Sequence, residues 1–259
     1  MDDYKTITLD VKNNVATITL NRPQRLNAAP PLMFEEIHAA VNQLQDYGAR
    51  ALVITGEGRA FCSGADLADD AKDSGSEKDV LEQSYNPCLE ALHQLPMPVI
   101  TAANGLVAGI GVGLALVADF CIAARSAYFL QAFVNVGLMP DGGSTWILPR
   151  LVGLQRAKEL MMLGERLSAE QAEAWGLIYR CIDDDKVLTE AYALAERLAQ
   201  GPTVALGQMR KAIHTGLHLD YTQGLACEAQ CQAVTGQSQD AQEGVAAFVA
   251  KRKAQFTGS

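Results

Sequence analysis

The sequence predicts an α/β fold: a largely covered sheet built from crossover units, followed by a helical C-terminal region. Up to about Asp185, short β-branched or apolar runs alternate with stretches of helical spacing, and two of these runs end in glycine-bearing loops. From Leu167 onward helical periodicity takes over. This change of character gives a core over 1–185 and a helical region over 186–259.

Each element follows from its residues. Thr6-Ile7-Thr8-Leu9 and Val15 to Leu20 read as strands, with Lys12-Asn13-Asn14 turning between them. Met33, Ile37, Val41 and Leu44 share a helical face, so Pro30 to Tyr47 reads as a helix. Ala51 to Thr55 is a buried strand ending at Gly56. Val80 to Leu95 is helical and stops at Pro96 and Pro98. Val99 to Ala103 and Phe120 to Ala124 read as buried strands around a short buried helix over Gly113 to Ala118. Ser168, followed by Glu170 and Gln171, caps a helix to Trp175. Long helices are expected over 186–200, 202–216, 219–234 and 238–253.

The 259 residues carry a net charge of -9, which argues against a nucleic-acid binder because that role needs a basic footprint. The acidic, alternating N-terminus resembles neither a signal peptide nor an Arg-rich transit peptide, so a cytoplasmic location is expected. Val99 to Ala124 is apolar but broken by Asn104, glycines and Asp119, which suits a buried strand–loop–helix–strand segment better than a membrane span. The six cysteines sit among apolar neighbours and read as reduced, packed thiols. Cys227 and Cys231, like His214 and His218, share a helical face, but further ligands at metal-binding spacing are missing; no metal site is expected.

The chemistry is concentrated in two glycine loops, each after a buried strand. Thr55 to Leu67 contains Gly56, Gly58 and Gly64; Ala103 to Leu114 contains Gly105, Gly109, Gly111 and Gly113. Such glycines let backbone approach a ligand, and two converging N–H groups there form a candidate oxyanion hole. The alternative is a pair of tight strand-to-helix turns. Neither loop has Walker spacing, and Gly109-x-Gly111-x-Gly113 lacks the dinucleotide-binding spacing.

Several segments together carry a resemblance. Asn21-Arg22-Pro23, Leu26-Asn27-Ala28, Phe61-x-x-Gly64-Ala65-Asp66-Leu67, Ala103-Asn104-Gly105-x-x-x-Gly109-x-Gly111, Gly137-Leu138-x-Pro140 and Leu163-Gly164-x-x-Leu167-Ser168-Ala169-x-x-Ala172 follow one another. Their order and spacing resemble the crotonase (enoyl-CoA hydratase/isomerase) family over nearly the whole chain. The resemblance implies a spiral of ββα units, a C-terminal region that builds homotrimers or dimers of trimers, and a CoA thioester as ligand. It implies no cofactor beyond the CoA of the substrate, and no membrane or nucleic-acid partner. By matching positions, the backbone N–H groups of Ala65 and Ile110 become the oxyanion pair, and Ile110, where Gly or Ala is usual, narrows the pocket. Arg25, Leu26 and the loop from Ser63 through Asp66 to Leu67 lie near CoA, with Gly109, Phe133 and Leu138 around the acyl group and Lys251 near the CoA phosphates.

The hydratases of this family hold water between two glutamates. The matching positions here are Gly113 and Phe133, so the groups for paired acid/base hydration are missing. Asp141 is the ionisable residue at a site the family uses. Taken locally, Pro140-Asp141-Gly142-Gly143 reads as a helix cap. Pro-Asp-x-Gly-x-Thr-Trp, with Tyr85-Asn86-Pro87 and the ending Phe248 to Gly258, is instead similar to the branch acting on ring-1,2-epoxyphenylacetyl-CoA, which lacks both glutamates and uses an aspartate there; Ser144 departs from its pattern. The resemblance thus implies an isomerase in which Asp141 moves a proton. Hydration, hydrolysis, dehalogenation, or a non-catalytic acyl-CoA-binding subunit are the competing readings. Tyr85 is either pocket-lining or core, Glu57 and Asp66 read as surface or turn carboxylates, and Asp119 as a partner for buried backbone groups. The acyl pocket is expected to take its shape from Ala68 to Gln83.

Overall fold

The computed structural model describes residues 4–67 and 76–259. Part of the segment expected to shape the acyl pocket, 68–75, lies outside them.

Strands β1 (Ile7–Lys12) and β2 (Val15–Leu20) form an antiparallel hairpin with Lys12 opposite Val15. Asn13 and Asn14 both adopt positive φ, 51° and 61°, as a two-residue hairpin turn requires. Helix α1 (Pro31–Gln43) buries Met33, Phe34, Ile37 and Val41 and returns the chain to β3 (Ala51–Gly56), parallel to β2.

From β3 the chain repeats one pattern. Each long strand of a six-stranded sheet is followed by a three-residue strand of a second sheet, and the next long strand joins the growing edge. Thus β3 leads to β4 (Ala60–Cys62), β5 (Val99–Ala103) to β6 (Leu106–Ala108), and β7 (Phe120–Ala124) to β8 (Tyr128–Leu130). The large sheet has the order β1-β2-β3-β5-β7-β10, with β10 at Arg180–Ile182; the small one has β4-β6-β8-β9, with β9 at Arg166–Ser168. All pairs are parallel except β1–β2 and β8–β9. The result is a spiral of ββα units.

Helices fill the crossovers. Between β4 and β5, α2 (Glu77–Val80) runs into a π-helical turn, Leu81–Tyr85, and then α3 (Asn86–Gln94). Helix α4 is Ile110–Leu116, starting and ending earlier than its sequence suggests because Gly109 supplies the turn that launches it. Helix α5 (Ser144–Leu163) is broken at Gly153. Helix α6 (Ala169–Ala174) is capped by the Ser168 hydroxyl, which accepts from Gln171 N. No helix among the described residues is long and apolar enough to cross a membrane.

Helix α7 (Val187–Ala199) buries Val187, Ala191, Ala195 and Ala199 in the same core as the large sheet. Helices α8 (Thr203–Gly216), α9 (Tyr221–Gly236) and α10 (Gln239–Val249) complete the chain, α10 ending four residues before its sequence pattern does. A buried ionic contact fastens α8 to the core. Arg210 donates from Nε to Asp119 Oδ1 at 2.7 Å, and its other nitrogens donate to the Leu92 and Leu95 carbonyls. The second Asp119 oxygen accepts from Val99 N at 2.8 Å, the service to buried backbone expected of it.

Candidate active site

Two asparagines hold the first glycine loop in place, one of them from the second loop. Asn27, fully buried, donates to the carbonyls of Glu57 and Ala60 at 3.0 and 2.8 Å, while its oxygen accepts from Arg22 N. Asn104 donates to the Gly56 and Gly58 carbonyls, both at 2.8 Å. The Asn104 bonds anchor the start of the second loop on the first, and those of Asn27 tie the first loop to the segment before α1.

Farther along, the loops meet at glycines. A Cβ on Gly109 would stand 3.4 Å from Gly64 Cα, and both residues have positive φ, 53° and 105°. Ala65 forms a parallel bridge with Ala29: Ala29 N donates to Gly64 O and Asp66 N to Ala29 O. This pairing leaves the Ala65 N–H on the side away from Ala29. Ile110 is the first residue of α4, where a backbone N–H has no acceptor within its own helix.

Ala65 and Ile110 line one cavity of about 160 Å³. Ser63, Leu67, Gly109, Phe133, Leu138 and Asp141 line it too, so eight of the residues singled out in the sequence come together. Phe133 belongs to a 3-10 turn, Ala132–Val136, after β8, and Asp141 to the turn before α5. Tyr85 serves both roles considered for it: it lines the cavity, packs edge-on against Phe34, and donates to the Ala29 carbonyl at 3.0 Å. Val80 and Leu81, from the segment expected to shape the pocket, line it as well; Ala132 and Val136, which sequence reasoning missed, complete the apolar wall.

Arg25, Leu26 and Asp66 lie outside that lining. The surface or turn reading of Asp66 is corrected: it is 3% exposed, accepting from Arg22 Nη1 at 2.8 Å and Arg25 Nη2 at 2.5 Å. Burial pushes this carboxyl up, but the hydrogen bonds and charges of the two arginines outweigh burial and hold it below its ordinary value. Arg25, still half-exposed, presents its remaining guanidinium edge from a fixed position. Lys251 is an exposed residue with positive φ after α10, away from the cavity lining.

The cap reading of Asp141 is corrected as well. Helix α5 starts at Ser144 with Gly143, in the left-handed region, as its N-cap and no side-chain cap. The Asp141 main chain serves the turn, its carbonyl accepting from Ser144 N at 3.0 Å. Cys62, beside Ser63, is no thiolate: burial pushes its thiol up to about 11. Among the described residues, the cavity offers a ligand backbone amides, apolar side chains, the Ser63 hydroxyl and the Asp141 carboxylate.

A family profile described as enoyl-CoA hydratase/isomerase matches residues 10–259. A Rhodobacter capsulatus protein named "Probable enoyl-CoA hydratase" is 45% identical, covering 98% of this chain and 99% of that protein. The 1,2-epoxyphenylacetyl-CoA isomerase of Escherichia coli is also 45% identical, covering 96% and 97%. A solved chain from Streptomyces coelicolor A3(2) shares the fold with a TM-score of 0.93 at 34% identity, covering 100% of this chain and 96% of that one. A solved enoyl-CoA hydratase from Bacillus anthracis gives 0.91 at 33%, covering 98% and 100%. With the ββα spiral and the paired glycine loops, these likenesses establish that the chain belongs to the enoyl-CoA hydratase/isomerase family.

Proposed function

We propose that this chain is an isomerase of CoA thioesters that moves a proton through an enolate held by two backbone amides. The observation that carries the reading is the position of Asp141, the one carboxylate among the described cavity-lining residues, in the same cavity as Ala65 and Ile110. The thioester oxygen accepts from Ala65 N and Ile110 N, donors worth roughly 3 kcal/mol each in comparable sites. Asp141 takes a proton from the carbon α to the carbonyl, or one vinylogous to it, and returns it elsewhere on the conjugated system. A 3-enoyl thioester thereby becomes a 2-enoyl thioester. With ring-1,2-epoxyphenylacetyl-CoA, the substrate named for the Escherichia coli relative, the rearrangement ends as an oxepin thioester. Electrons stay with the substrate, so the step calls for no metal, flavin or nicotinamide, and CoA enters only with the thioester.

Hydration is the second reading, favoured by the name of the Rhodobacter capsulatus relative. Against it, Gly113 and Phe133 supply no carboxylate to place or protonate a water. Turnover of 3-enoyl-CoA, 2-enoyl-CoA and ring-1,2-epoxyphenylacetyl-CoA by the purified protein decides between them. Isomerisation of the first or third with little hydration of the second is expected. Hydration as the fastest reaction overturns the proposal, as does binding without turnover of any of the three.

A further inference from the structure

One short segment touches both halves of the site. The Leu130 carbonyl, at the end of β8, accepts from Gly109 N at 3.0 Å and so holds the loop that presents the Ile110 amide. The next residue, Gln131, is 2% exposed and donates from Nε2 to the Ser144 hydroxyl at 3.0 Å. Ser144 is equally buried, and its N–H is bonded to the Asp141 carbonyl. Two residues beyond Gln131, Phe133 lines the cavity.

Neither Gln131 nor Ser144 lines the cavity, and the Ser144 side chain caps nothing. The pair is also a poor device for stability. The Gln131 Oε1 atom is buried without a hydrogen-bond partner among the described residues, and an unsatisfied buried acceptor is a net cost. An apolar pair would fill the same space without that cost. A directional bond fixes what apolar packing leaves loose: the register between the end of β8 and the start of α5.

We propose that Gln131, acting through Ser144, is the positioning residue that sets the Asp141 turn against the amide loop held by Leu130. The inference rests on the role of Asp141 in the proposed isomerisation. A misplacement of about 1 Å costs up to about 100-fold in rate. Gln131→Met, which keeps the length and removes the bond, and Ser144→Ala are therefore expected to lower isomerase kcat about 10- to 100-fold, with KM within about threefold of the parent. Thermal stability should be unchanged or higher. The double variant should be no slower than the slower single one, because both remove one bond.

Asp141→Asn, assayed in parallel on a thioester that the parent isomerises, separates the two claims. If Asp141→Asn keeps parental turnover, the isomerase reading fails. If Asp141→Asn is inactive while Gln131→Met and Ser144→Ala retain kcat within about twofold, the positioning role fails and the isomerase reading stands. Ser144→Ala is the smaller change and remains decisive if Gln131→Met does not fold. Loss of thermal stability in Ser144→Ala with kcat preserved assigns the pair to folding and overturns the proposal.

Discussion

Gly113 in α4 and Gly142 in the turn after Asp141 meet backbone to backbone. A Cβ at position 113 would lie 2.8 Å from the Gly142 carbonyl carbon and 3.0 Å from its Cα, closer than real side chains come. A Cβ on Gly142 would in turn stand 3.1 Å from the Ile110 side chain, and its φ of +58° disfavours any other residue. The turn carrying Asp141 is thus seated directly on the helix that begins with Ile110.

Gly113→Ala should push that turn outward. Isomerase turnover is expected to fall by about 10- to 100-fold while affinity for a non-reacting acyl-CoA changes little. Gly113→Glu should fail to create a hydratase, since its first side-chain atom already overlaps Gly142; crotonyl-CoA hydration by the parent should likewise be slow beside isomerisation. Steady-state assays of the three proteins check this, and hydratase activity in Gly113→Glu equal to the parental isomerase rate would refute it.

Asp141→Asn should lose about 10²–10⁴-fold in isomerase turnover, the usual worth of a positioned general base. Folding should survive, because α5 draws no side-chain cap from this residue. Thermal melts and single-turnover assays test both halves; turnover within a few-fold of the parent would remove Asp141 from the mechanism.

Asp66 makes the first loop acid-sensitive. Its carboxyl lies below its ordinary value in the folded protein, because Arg25 and Arg22 outweigh burial. Its contribution to stability is therefore complete above the unfolded-state value near about pH 4 and lost as pH falls through the lower folded value. The melting difference between the parent and Asp66→Asn should be largest at neutral pH and shrink as the solution is acidified below about pH 4. A difference that stayed constant throughout would show that the arginines do not favour the charged form.

The helical region leaves large side chains uncovered. Phe248 is 85% exposed and Ile213 65%, with Met209, Val245 and Val249 exposed alongside. Apolar exposure on this scale marks contact surfaces. A trimer or hexamer is expected in light scattering at micromolar concentration, with Lys251 near the CoA phosphates of its own or a neighbouring subunit. A monomer there would contradict it.

The long strands and most helices were legible because β-branched runs and four-residue spacing are local signals. Strands β4, β6, β8 and β9 have three residues each, too few for periodicity, so the second sheet was hidden. The entry into α5 was marked by Pro140-Asp141-Gly142-Gly143, but its length was obscured by Pro149 and by the break at Gly153. At the site, the glycines, Asp141 and Phe133 were marked by residue type and order. The burial of Asp66 was not, because its partners Arg22 and Arg25 precede it by more than forty residues. The fit of Gly113 to Gly142 was equally hidden: a glycine shows what it lacks and not what fills the space.

The clasp between Arg210 and Asp119 also orders events during synthesis. Every strand, with Asp119 and the carbonyls of Leu92 and Leu95, has been made before Arg210 leaves the ribosome. Chains fold from the N-terminus as they grow, so a nascent sheet can form early yet must hold an acidic group without its cation until α8 arrives. The C-terminal helices therefore finish the spiral, and a chain stalled before residue 210 would present that unneutralised carboxylate to the chaperones around it.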